Sequence, residues 1–198
     1  MTGASHSMNE NTEIEVPARY ASILARSRQA QFQMNSDVLT GSLLRTLAAS
    51  KPRSSLLELG TGAGLGTCWI LDGMDAGSTL VSVENDPGIL AIAREELSAD
   101  TRLTLVESDG ADYLGACKDR FDLIYADAWP GKYSHLDLAL ALVKPGGIFL
   151  VDDMLPQANW PDGHEAKAAD LTARLEKLPG FRVTKLAWST GLILCVKQ

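Results

Sequence analysis

From about residue 54 onward the chain alternates short apolar runs with segments whose apolar residues recur at helical spacing. The runs "SSLLELG" (54–60), "STLVSVE" (78–84), "RLTLVES" (102–108), "FDLIYAD" (121–127) and "GIFLVDD" (147–153) read as strands. Between them, "LGTCWILDGM", "PGILAIAREELSA", "GADYLGACK" and "SHLDLALALV" read as helices, with Pro87 suited to a first helical turn. "KPGG" at 144–147 supplies a stop before the fifth strand. Strands apolar on both faces and alternating with helices predict a parallel sheet covered on both sides. The pattern then changes: "FRVTKLAWS" and "GLILCVKQ" are joined by a tight connection near Thr190 and Gly191, which predicts an antiparallel pair. Ahead of the first strand, residues 17–50 read as two helices starting near Pro17 and Asp37.

Composition narrows the class. A chain of 198 residues with 45% hydrophobic and 22% charged residues is long enough for one well-buried domain. The expected organisation is a flexible terminus at 1–16 and a single domain at 17–198, with a helical cap (17–50) on a core (54–198). No run reaches the ~20 apolar residues of a membrane span, and the first dozen residues lack a secretory pattern, so a cytoplasmic protein is expected. A net charge of −7 argues against general attachment to nucleic acid or anionic membrane. The three cysteines are far apart, and Cys68 and Cys195 sit in apolar segments, which reads as reduced buried thiols.

The first chemical motif is "LLELGTGAGLG" (56–66), a strand entering a helix through Gly60, Gly62 and Gly64. The alternate glycines allow a sharp turn and close approach of a ligand to the backbone, although a plain tight turn would look the same. The dinucleotide fingerprint G-x-G-x-x-G fails in both registers, because Leu65 or Thr67 stands where the third glycine should be. The next strand ends at Glu84, about where an acid can accept hydrogen bonds from both hydroxyls of a ribose. The third ends at Asp109–Gly110, where a carboxylate can accept from an exocyclic amino group. Each acid alone equally reads as a cap or a solvated strand end; three motifs in register at successive strand ends point to one nucleoside-bearing ligand.

Glu58-x-Gly60-x-Gly62-x-Gly64, followed by Glu84 and Asp109-Gly110, resembles the S-adenosylmethionine site of class I methyltransferases. "KPGG" and the terminal hairpin are similar to that family too, and the likeness covers residues 54–198. The resemblance implies a Rossmann-like three-layer sandwich, with a seven-stranded, mostly parallel sheet whose last strand is antiparallel. It implies that Glu58, Thr61 and the glycine loop face the methionine part, Glu84 with Asn85 the ribose, and Asp109 with Gly110 the adenine. Asp127 and Trp129 would lie near the methyl group, and Met34 and Ser36 would fold over the cofactor from "QFQMNSD" (31–37). For Met34 a place in the core is the alternative.

"FDLIYADAWPGKY" (121–133) followed by "FLVDDM" is similar to the catechol and caffeoyl-coenzyme A type of O-methyltransferase. In that family an aspartate ending the fourth strand and an Asp-Asn pair ending the fifth hold a divalent cation. The matching residues here are Asp127, Asp152 and Asp153, and oxygen-only ligation suits Mg²⁺, Mn²⁺ or Ca²⁺. Tyr133 matches the family's tyrosine. Two departures stand out. The lysine usual three residues after the fourth-strand aspartate is Pro130, with Lys132 two further on. The usual Asp-Asn is Asp152-Asp153, which either strengthens cation binding or frees Asp153 for service as a base or cap.

"LPQANWPDGH" (155–164) has no regular period and lies where acceptor specificity usually sits. Trp129, Trp160 and His164 could line an aromatic pocket, with His164, Lys132 or Asp153 as general base. Alternatively, Asp162 to His164 begin the next helix and Trp160 packs as a staple. Trp69, Trp188 and the residues of "LTLVES" read as core. The resemblance implies methylation of a hydroxyl on a small aromatic or catechol-like acceptor. Methylation of RNA or protein, or cofactor binding without transfer, are the alternatives. Dimers are common in the resembled family.

Overall fold

A computed structural model describes residues 14–158 and 160–198; most of the terminus expected to be flexible lies outside the described residues. Two helices come first, α1 (Tyr20–Gln29) and α2 (Val38–Ala49). The alternating core follows as β1 (Ser55–Leu59), α3 (Leu65–Gly73), β2 (Thr79–Glu84), α4 (Pro87–Leu97), β3 (Leu103–Glu107), α5 (Gly110–Ala116), β4 (Phe121–Ala126), α6 (Leu136–Ala141) and β5 (Val143–Val151). Helix α7 (His164–Glu176) leads to β6 (Phe181–Leu186) and β7 (Leu192–Lys197). The strand order is β3-β2-β1-β4-β5-β7-β6, and only β7 runs against the rest. This is the predicted three-layer sandwich with a seven-stranded sheet. None of the described helices is long and apolar enough to cross a membrane.

The two faces of the sheet bury separate cores, as strand alternation requires. Leu56, Leu80, Leu123 and Leu150 point to the side of α1–α4, where Ile23, Leu44 and Trp69 are fully buried. Leu57, Leu59, Ile124 and Phe149 point to the side of α5–α7, against Leu114, Leu140 and Leu175. Burying each such side chain stabilises the fold by ~1.5–3 kcal/mol relative to exposure. Helices α2 and α3 approach closely because Gly41 faces the Trp69 ring, with no room there for even one methyl. The three cysteines are free: Cys68 and Cys195 are buried, and burial pushes the Cys195 thiol up to about 12.

Local signals place the helix starts. Asp37 caps α2 by accepting from the Leu39 and Thr40 amides at 2.7 and 3.1 Å. Asp86 caps α4 in the same way, with Pro87 at its first position. Pro17 opens a turn rather than a helix, and α1 begins at Tyr20. Strand β5 starts earlier than its predicted Gly147. Val143 pairs with Phe121, so "KPGG" lies inside the strand as an irregularity of register, and not as its stop. The β3 residues expected in the core are only half-buried, with Thr104 and Glu107 exposed, because β3 is an edge of the sheet. Trp69 is core as expected, while Trp188 is half-buried and donates its indole N–H to the Leu39 carbonyl at 2.9 Å.

The order reverses between β1 and β4, so the helices following these strands diverge and leave a crevice at the strand ends. That crevice is where the sequence motifs converge.

Candidate functional site

Two adjoining cavities open at the carboxyl ends of the strands, one of about 560 Å³ and one of about 240 Å³. They share Met34, Asn35, Ser36, Asp127, Ala128 and Trp129, which form the passage between them.

The larger cavity is built on the glycine loop. Gly60 and Gly64 take φ of 99°, and Gly62 one of 53°. A side chain at Gly60 would collide with the Asp127 carbonyl, so glycine is needed there for both space and conformation. Glu84, at the end of β2, accepts from the Gly62 amide at 2.8 Å and from the Asn85 and Asp86 amides at 2.9 and 3.0 Å. These bonds hold the loop and carboxylate as one unit. Asp109 caps α5, accepting from the Ala111 amide at 2.7 Å, and it also lines the cavity. Capping and lining therefore coexist at this residue.

Thirteen residues were expected around a cofactor. The cavity is lined by eleven of them: Met34, Ser36, Gly60, Thr61, Gly62, Glu84, Asn85, Asp109, Gly110, Asp127 and Trp129. Met34 is 73% exposed, so the alternative that it belongs to the core does not hold. Gly64 and Glu58 stand behind the wall. Gly64 packs against Ala93 and Leu97 of α4. Glu58 is fully buried beneath Gly66, and its Oε2 accepts from the Thr67 and Ser82 hydroxyls, both at 2.5 Å. Its Oε1 has no partner among the described residues. Burial outweighs those two hydroxyls and raises its carboxyl to about 7.

The smaller cavity gathers Asp127, Lys132, Tyr133, Asp152, Asp153, Trp160, His164 and Thr190 from four separate stretches of chain. All four expected catalytic residues, Asp127, Lys132, Asp153 and His164, line it. Lys132 reaches it through a tight loop: the Lys132, Tyr133 and Ser134 amides all donate to the Trp129 carbonyl, at 3.1, 2.9 and 3.2 Å. Gly131, at φ 93°, permits that curl. His164 is both the first residue of α7 and a buried wall of the cavity, so the two alternatives for it are compatible. Its Nε2 lies 3.0 Å from the Tyr133 hydroxyl. Trp160 packs on it with ring centroids 4.5 Å apart, Tyr133 at 5.0 Å and Trp129 at 5.8 Å. Burial, aided by the nearby Lys132 and Lys167 charges, lowers the His164 pKa below its usual 6.5. Burial raises the Tyr133 hydroxyl to about 12, with the Asp153 charge adding to it.

The three aspartates do not present themselves as a ligand set. Both oxygens of Asp152 are committed: Oδ2 accepts from the Tyr125 hydroxyl at 2.5 Å, and Oδ1 from the Thr190 hydroxyl at 2.6 Å and the Asp153 amide at 2.7 Å. Asp153 accepts from the Gln157 side chain at 2.6 Å, with its backbone at φ 58°. Asp127 has one long contact, from the Ser36 hydroxyl at 3.4 Å. Among the described residues no three His, Cys, Asp or Glu side chains come together so as to hold a metal ion. The expected metal triad of Asp127, Asp152 and Asp153 is therefore not preformed: protein donors engage both oxygens of Asp152 and one of Asp153. Burial and mutual repulsion raise the Asp127 and Asp152 carboxyls above the usual range, and Lys132 opposes this at Asp127.

Sequence reading missed Tyr125, Gln157 and Thr190. Strand alternation could have found Tyr125, which shares a sheet face with Asp127. Thr190 arrives from the distant hairpin, and nothing local announces it.

A family model described as a methyltransferase domain matches residues 57–154. A Mycobacterium leprae protein bearing the name O-methyltransferase is 28% identical over 138 residues, which cover 65% of this chain and 62% of that protein. A Mycolicibacterium vanbaalenii protein of the same name is 27% identical over 157 residues, 75% of this chain and 65% of that one. The chain thus spans less than two thirds of the length of these relatives. The O-methyltransferase from Bacillus cereus, solved in complex with SAH, superposes with a TM-score of 0.82 at 20% identity, covering 96% of this chain and 94% of that one. The SAH-bound Podospora anserina methyltransferase PaMTH1 gives 0.82 at 22% identity, covering 96% and 92%.

Proposed function

We propose that this chain is a class I methyltransferase that transfers the methyl group of S-adenosylmethionine to a hydroxyl of a small aromatic molecule, a reading that the methyltransferase-domain match and the shared fold support. The observation that carries this reading is the pair of cavities meeting at Asp127–Trp129. One, at about 560 Å³, has room for a nucleoside with an amino-acid tail; the other is small, aromatic and furnished with a proton acceptor. The names of the Mycobacterium and Mycolicibacterium relatives and of the Bacillus cereus structure support it.

Bound S-adenosylmethionine supplies an activated methyl on a sulfonium, so the protein's tasks are alignment, exclusion of water and removal of one proton. Glu84 takes the ribose hydroxyls and Asp109 the adenine amino group. Trp129, Tyr133 and Trp160 sandwich an aromatic acceptor and keep water out. His164, held neutral by its surroundings, receives the hydroxyl proton at Nε2, directly or through the Tyr133 hydroxyl 3.0 Å away. Glu58 acts through the loop it supports, as a positioning residue beneath Gly66. A cavity of about 240 Å³ admits a single ring and favours a small acceptor over a polymer.

The test is calorimetry with S-adenosylhomocysteine, followed by a screen of hydroxylated aromatics with labelled methyl donor. Micromolar binding that falls on Glu84→Ala, together with label transfer to oxygen, is expected. Absence of binding would remove the proposal.

A further inference from the structure

Lys132 is 5% exposed, yet its Nζ has no hydrogen-bond or ion-pair partner among the described residues and it lines the smaller cavity. An ammonium so enclosed is costly unless something answers its charge. What surrounds it is acidic and aromatic: Asp127, Asp152 and Asp153 line the same cavity, and the Tyr133 ring lies 5.4 Å from Nζ. Of these aspartates only Asp152 has both oxygens engaged, by Tyr125, Thr190 and the Asp153 amide, while Gln157 takes one oxygen of Asp153, so the remaining carboxylate charge faces the cavity that holds the ammonium. A positive charge is thus already built into the cavity that the three aspartates line, where it offsets their charge and opposes entry of a second cation. The loop that delivers it depends on Pro130 and Gly131, which curl the chain back on the Trp129 carbonyl and tuck Lys132 inward.

We propose that Lys132 is the resident cation of the acceptor pocket, that transfer proceeds without a bound divalent metal, and that the ammonium holds the acceptor oxygen as it ionises. This rests on the methyltransferase reading above and deepens it. In the step, the acceptor's O–H bond breaks and its proton passes to the Tyr133–His164 pair. The oxygen's electron pair forms the new bond to the methyl carbon. The carbon–sulfur bond breaks, and its pair stays on sulfur as a neutral thioether. The Lys132 ammonium offsets the developing negative charge on oxygen, the task a cation performs in this position. An acceptor with two adjacent oxygens gains no chelation here, so simple phenols should serve as well as catechols.

The test uses Mn²⁺ alone as probe, with the full chain and the free-ion signal in electron paramagnetic resonance. Wild type is expected to leave the signal unchanged at millimolar Mn²⁺. Lys132→Met, which removes the charge and leaves the carboxylates facing one another, is expected to bind Mn²⁺ at least about tenfold more tightly. Lys132→Arg keeps a cation and should stay as metal-free as wild type, which separates charge from folding. Mn²⁺ uptake by wild type that disappears in Asp127→Asn would overturn the proposal, as would Lys132→Met that folds, by its thermal transition, but gains no affinity. S-adenosylhomocysteine binding measured in the same samples keeps the two readings apart. If wild type fails to bind it, the methyltransferase reading falls whatever the metal result.

Discussion

The donor cleft and the acceptor pocket share a passage but are made differently. The cleft is a product of backbone: a glycine loop, amides pointing at Glu84, and carboxylates at the ends of three successive strands. Its parts follow one another in sequence, and each can be read from its neighbours. The pocket is a product of side chains from four distant stretches, and its character comes from burial, since His164, Lys132 and Asp152 are nearly sealed. A site of the first kind binds a ligand common to many enzymes. The second kind sets what is methylated and how the proton leaves.

That contrast can be broken by mutation. The largest effect is expected from His164→Asn, which should lower kcat by roughly 10²–10⁴ while leaving S-adenosylhomocysteine affinity intact. Equal loss of cofactor affinity would show that the two regions are not separable. The wild-type kcat/KM profile should rise with pH on an acid limb below 6.5, because burial and two lysines hold His164 neutral, and that limb should vanish in the variant. An acid limb retained by the variant would take His164 out of the base role.

Glu58 tests the cleft from beneath. Its folded pKa is raised from the usual 4.5 to about 7, so folding favours the protonated form. That contribution is complete below pH 4.5 and is lost as pH rises through about 7. Wild type without ligand should therefore lose up to roughly 3 kcal/mol of stability between pH 4.5 and 8, and Glu58→Gln should flatten that slope. Denaturant titrations at the two pH values decide; an unchanged slope would mean that Glu58 stays ionised when buried.

Glu84→Ala should weaken S-adenosylhomocysteine binding by about 1.5–3 kcal/mol, roughly ten- to a hundredfold, with little change in kcat at saturating donor. A fall in kcat with affinity unchanged would reverse the assignments of the two regions. The smallest effect is expected from Trp129→Ala at the shared passage. This residue is 50% exposed, so the thermal midpoint should barely move while KM for the acceptor rises several-fold.

The same contrast explains what was legible in the sequence. Strand periods and glycine spacing are local, so the sheet, its antiparallel member and nearly all of the cleft followed from them. Glu58 resisted because its motif places it near the ligand, whereas strand alternation turns it inward beneath Gly66. The misplacement of "KPGG" has a similar cause: proline and glycine signal a stop locally, but pairing between Val143 and Phe121 carries β5 through them. In the pocket, residue types were visible but their commitments were not. Asp152 was legible as an acid at a strand end. That Tyr125 and Thr190 use up its oxygens depends on contacts across 27 and 38 residues. A resemblance transfers positions, and only geometry shows whether those positions are still free.

Strand β7 lies between β5 and β6, and its Ile193–Val196 pairs with Val151–Ile148. In a growing chain, β5 therefore leaves the ribosome with its outer edge open and stays so until the hairpin has been made. During that interval Phe149 and Val151 sit on an unpaired apolar strand, and Asp152 lacks the Thr190 that later fixes it. The donor cleft can form earlier, from residues already synthesised. In biogenesis, then, the acceptor pocket is the last part of the site to assemble, and the segment a chaperone would have most reason to shield is 147–153.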